Sequence, residues 1–72
     1  MLIKRSFTIA GHRTSVALES EFWAVLEASA RRRGETLAAL VMVVDAERAE
    51  ARPLASALRV WALRDRSSED GA

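Results

Sequence analysis

Eight consecutive residues, Leu37-Ala38-Ala39-Leu40-Val41-Met42-Val43-Val44, carry no polar side chain. The run is far shorter than the roughly 18 apolar residues a membrane span needs, and Thr36 before it is a suitable N-cap, so it predicts about two turns of buried helix. A helix that is apolar on every side has to be covered on every side. The one helix predicted ahead of it cannot do that alone. A chain of 72 residues buries little surface and leans on disulfides, a structural metal or a partner. Without cysteine and with a single histidine, neither a disulfide framework nor a metal site is expected. What remains is a homodimer in which a second copy supplies the missing walls, and an apolar fraction of 50% agrees with it.

The residues before that helix have a different period. Phe7 and Ile9 alternate with Ser6, Thr8 and Ala10, and Thr14, Val16 and Leu18 alternate with Arg13, Ser15 and Ala17. Period two with β-branched and aromatic residues is a strand signal. Between the two runs Gly11 can take a positive φ. The arm is therefore two short strands in a hairpin, the favoured reading, or one strand behind a loose tail. This arm, residues 1–18, carries Lys4, Arg5 and Arg13 and no acid, whereas residues 19–50 carry four arginines against seven carboxylates. A basic arm on an acidic body is a local electrostatic footprint even though the whole chain is near neutral.

Three helices are predicted, at about 20–33, 37–50 and 53–65. In the first, Phe22, Val25, Leu26, Ser29 and Ala30 form one stripe. Arg31, Arg32 and Arg33 suit its carboxyl end, and Gly34 follows as a left-handed stop. Pro53 opens the third helix, whose Leu54, Leu58, Trp61 and Ala62 share a face, with Arg52, Arg59 and Arg66 marking another. A single domain over residues 1–66 and a frayed tail over 67–72 are expected. The first residues lack the apolar stretch of a secretory leader, which predicts a cytoplasmic protein. No membrane association is expected.

Candidate chemistry is sparse. His12 beside Gly11 reads as a turn residue, and neither Ser15 nor Ser20 has a base to activate it. No catalytic residue, metal ligand or cofactor is expected, and the chain is read as non-enzymatic. The triple arginine has an adequate purpose at its helix end. Trp23 is expected beside the Phe22 stripe and Trp61 against the core.

Arg13-Thr14-Ser15-Val16-Ala17-Leu18, then Phe22 to Arg33, then Gly34-Glu35-Thr36-Leu37 and the run to Val44 together resemble the ribbon-helix-helix family of dimeric DNA-binding proteins, the Arc and MetJ repressor type. The segment from His12 to Trp23 with Ala57-Leu58-Arg59-Val60-Trp61 also resembles a bacterial subfamily of it. The resemblance implies an α+β, mostly α homodimer whose paired strands enter the major groove, which admits two strands and displays a distinct pattern for each base pair. It implies that Arg13, Ser15 and Ala17 contact bases. Lys4, Arg5 and the amides of Thr36 and Leu37 would meet phosphates. Val16, Leu18, Phe22, Leu26, Leu37, Leu40, Val41 and Val44 would form the dimer core. The implied function is a DNA-binding transcriptional regulator, with duplex DNA and a second copy as partners. The alternative is a protein-interaction module, antitoxin-like or an adaptor, that keeps the fold without DNA and uses the third helix and Trp61.

The chain departs from the family pattern at three points. Ala17 offers a base only a methyl group, Glu35 sets a negative charge where a phosphate would approach, and extra residues precede the strand and follow Pro53.

Overall fold

The computed structural model describes the backbone of residues 1–70 and the side chains through Arg66. Five elements follow one another: β1 (Leu2–Ile9), β2 (His12–Glu19), α1 (Ser20–Arg32), α2 (Leu37–Glu47) and α3 (Leu54–Asp70). The tail expected over 67–72 lies outside the residues whose side chains are described.

Of the two readings of the arm, the hairpin is the observed one. β1 and β2 pair antiparallel from Leu2↔Glu19 to Ile9↔His12. The two turn residues, Ala10 and Gly11, both have positive φ, at 52° and 80°. That is the two-residue turn whose twist matches a right-handed ribbon, and it normally favours Asn-Gly. Ala10 therefore holds a left-handed backbone that costs an ordinary residue about 1 kcal/mol.

The ends of α1 and α2 follow from local chemistry. Gly34 N–H donates to Arg31 O at 3.1 Å and Glu35 N–H to Ala30 O at 3.0 Å, the paired bonds of a glycine-terminated Schellman stop. Gly34 has φ 69°. Thr36 Oγ1 then accepts from Ala39 N–H at 3.0 Å and caps α2. α2 stops at Glu47, one turn before the expected residue 50. The cause is Arg48: its backbone is extended, and its guanidinium donates to Asp45 Oδ1, Glu50 O and Arg52 O. It thereby satisfies carbonyls of the connection into α3.

All four layers contribute to one core. Ile9, Val16 and Leu18 come from the hairpin, Trp23, Leu26 and Ala30 from α1, Leu40, Val41 and Val44 from α2, and Ala57, Leu58 and Ala62 from α3. Two expectations are corrected here. The buried residue at the start of α1 is Trp23, at 1% exposure, while Phe22 is only partly buried. Phe22 and Trp23 are adjacent, so the stripe can be phased on either. Trp23 wins because β1 offers its ring Phe7, at 5.9 Å between centroids, and offers its indole N–H the carbonyl of Ile3 at 2.8 Å.

The second correction concerns cover for α2. Leu40, Val41 and Val44 are buried within one chain, by α1, α3 and the hairpin. Six of the eight residues expected in a dimer core (Val16, Leu18, Leu26, Leu40, Val41 and Val44) are buried this way, and Phe22 and Leu37 are partly so. The third helix and the added strand supply walls that the sequence alone attributed to a second copy. Part of the apolar run stays bare, for Met42 is 48% and Val43 37% exposed.

Candidate nucleic-acid interface

A two-stranded hairpin has two faces because successive side chains alternate. The inner one bears Phe7, Ile9, Thr14, Val16 and Leu18. The outer one bears three directly opposed pairs, Lys4↔Ala17, Ser6↔Ser15 and Thr8↔Arg13. Lys4, Ser6, Thr8, Arg13 and Ser15 are exposed and Ala17 is half-buried. Ser6 and Ser15 meet through their hydroxyls at 3.1 Å. Each hydroxyl has one proton and two lone pairs, so the pair keeps hydrogen-bonding capacity for a third group. The outer face thus combines two cations, three hydroxyls and a methyl, with Glu19 at its far end as the one acid. Arg59 holds that acid: its Nε donates to Glu19 Oε1 at 3.0 Å, while its guanidinium lies 5.9 Å from the Phe22 ring centre. The Arg59 bond, aided by a backbone hydrogen bond, lowers the Glu19 pKa below its ordinary value.

Lys4 and Arg5, paired in the sequence reading, part company. Lys4 lies on the outer face. Arg5 turns to the opposite side, donates to Glu27 Oε1 at 3.0 Å and lies 5.0 Å from the Trp23 ring centre. Strand alternation forces this, since neighbours cannot share a face. Arg5 is therefore a clamp between β1 and α1.

At the amino end of α2 the cap uses Ala39 N–H, and the helical ladder begins with Leu40 N–H to Thr36 O at 3.1 Å. The amides of Leu37 and Ala38 remain for another acceptor, as at any helix start. Glu35, just before, is 3.3 Å from Arg33 Nε, but the geometry is ionic only, and its buried Oε1 has no hydrogen-bond partner among the described residues. Arg33 also lies 5.6 Å from the Trp61 ring centre. The cation offsets the charge that Glu35 would otherwise present to an anion.

Two further surfaces stand away from the hairpin. Ala38, Met42, Val43 and Ala46 are the exposed residues of α2's apolar run and its continuation. A groove of about 260 Å³ opens between the end of α2 and α3, with Val44, Val60 and Trp61 as apolar lining and Arg52 and Arg64 as exposed cations. Behind α1, Ser29 Oγ donates to Asp65 Oδ2, which Arg32 also binds at 2.6 Å. That buried cluster ties α1 to α3 and has a structural purpose. Among the described residues no three His, Cys, Asp or Glu gather as metal ligands, and no helix is long and apolar enough to cross a membrane.

Sequence reasoning named Lys4, Arg13, Ser15 and Ala17 for this surface and missed Ser6 and Thr8. The alternation of residues 4–10 contained the signal; the pairing register was needed to set these two opposite Ser15 and Arg13. Compared with known proteins, the ribbon-helix-helix domain family matches residues 2–65. Neither the curated proteins nor the solved structures gave a match.

Proposed function

This chain belongs to the ribbon-helix-helix domain family, whose members are generally DNA-binding regulators or antitoxins rather than enzymes, and from that premise we propose that it is a homodimeric transcriptional regulator that sets a β-ribbon into the major groove of duplex DNA. The observation that carries the reading is the exposed outer face of the hairpin, where Lys4, Ser6, Thr8, Arg13 and Ser15 stand free of any acid but the neutralised Glu19. Arg13 bonds bidentately to a guanine edge, Ser15 bonds to a base edge, and Ala17 contributes a methyl contact such as thymine offers. Lys4 and the amides at Thr36 and Leu37 hold phosphates. Arg5, occupied by Glu27 and Trp23, is left out of that set.

Two copies meet, on this proposal, through the bare stripe of α2. Met42 and Val43 are large apolar side chains next to the small Ala38 and Ala46, which supports close approach of another helix. Titration of a fluorescent duplex at several salt concentrations tests the DNA reading. Neutralising several phosphates makes the logarithm of affinity fall steeply with the logarithm of salt. Weak binding that ignores salt would refute it.

A second reading, a protein-interaction module that keeps the fold without DNA, is favoured by the α2–α3 groove, where Trp61 and two exposed arginines adjoin apolar lining. Arg13→Ala and Arg64→Glu separate the two. Under the first reading Arg13→Ala weakens DNA binding with the fold kept; under the second only Arg64→Glu changes what the protein binds.

A further inference from the structure

Resting on the DNA-binding reading, we infer that the ribbon entering the groove is completed within one chain, and that β1 reads bases through Ser6 and Thr8. A major groove is about 12 Å wide and strands lie about 4.8 Å apart. Were two copies to pair β2 edge to edge while each kept its β1, the four strands would span roughly 14 Å between outer axes, before any side chain is added. That sheet is too wide. The chain's own two strands fit.

Releasing β1 to make room would break what fixes it. Trp23 donates to Ile3 O at 2.8 Å and packs on Phe7, while Arg5 is tied to Glu27 at 3.0 Å and lies over the Trp23 ring. These contacts join β1 to α1 independently of the strand pairing, and Ile9 adds a buried side chain near the turn. β1 is held as part of the domain.

With β1 in place, its outward residues share the reading surface. Ser6 is bonded to Ser15 and Thr8 stands directly opposite Arg13. A serine hydroxyl already polarised by its neighbour presents a donor or an acceptor to a base edge, and serine and threonine suit either. Thr8 also carries a methyl group beside the Arg13 stem. The partner this chemistry recognises is duplex DNA with a guanine step facing Arg13, flanked by bases whose edges reach the Ser6–Ser15 pair and Thr8.

The test is a selection from a randomised duplex pool with the wild-type chain, with Arg13→Ala and with the double variant Ser6→Ala/Thr8→Val. All three side chains are exposed, and a thermal melt of each variant verifies that it is folded. The expected result is that the double variant loses about tenfold in discrimination between the selected duplex and a scrambled one, at positions adjoining those lost by Arg13→Ala. Selection of the same site with undiminished discrimination by the double variant, while Arg13→Ala loses it, would overturn the role of β1 and leave the DNA reading standing. A wild-type chain that retains no duplex, or retains all sequences equally, would overturn both.

Discussion

The two faces of the hairpin are made by the same sixteen strand residues and the same register, yet they are bound to different things. On the inner face Ile9, Val16 and Leu18 are buried, and Arg5 and Phe7 are fastened to α1. On the outer face the one side-chain contact printed by geometry within the strands is Ser6 to Ser15. The inner residues have spent their interactions on the fold, and the outer ones have kept theirs. Substitutions on the first should cost stability and on the second should cost binding.

Leu18→Ala is the strongest way to break that division. Leu18 is wholly buried, and truncating such a residue costs about 2–5 kcal/mol, read as a shift in the urea midpoint. A shift under 0.5 kcal/mol would mean that the inner face is not a core. Arg13→Ala, five residues away on the outer face, should leave stability within about 0.5 kcal/mol and weaken binding to a preferred duplex by roughly 1–3 kcal/mol. An unfolding effect as large as that of Leu18→Ala would erase the distinction between the faces.

The turn that joins the strands offers a smaller test in the opposite direction. Ala10 has φ 52° and precedes Gly11. Ala10→Asn creates the dipeptide this turn favours and should stabilise the protein by about 1 kcal/mol, seen as a raised midpoint of thermal unfolding. The smallest effect concerns Glu19, where the faces meet α3. Its pKa is lowered chiefly by the bond from Arg59. A carboxylate lowered on folding adds stability at pH above its ordinary value of 4.5, and that contribution disappears as pH falls through the lowered folded value. Glu19→Gln should therefore flatten a slight loss of stability below that pH, with no difference in slope near neutrality.

Several elements were legible from residue order because their causes are local. The Gly34 stop needs only the carbonyls of Ala30 and Arg31, the Thr36 cap only the amide of Ala39, and the outward set Arg13, Ser15 and Ala17 only alternation. The end of α2 was less legible: Arg48 reaches two carbonyls beyond the helix, and nothing in a periodicity announces that reach. Trp23 was misjudged for a similar reason, since the partners of its ring and its N–H lie sixteen and twenty residues earlier.

The apolar run at 37–44 marks the boundary between the two kinds of knowledge. By itself the sequence determined that this segment is helical, that it starts after Thr36 and that it must be covered, because caps and hydropathy act within a few residues. What covers it was decided by tertiary structure: α1, α3 and the hairpin enclose Leu40, Val41 and Val44, while Met42 and Val43 stay bare. The hydrophobic effect rewards removal of area from water and does not specify which chain segment removes it. Only the three-dimensional path of β1 and α3 could settle that.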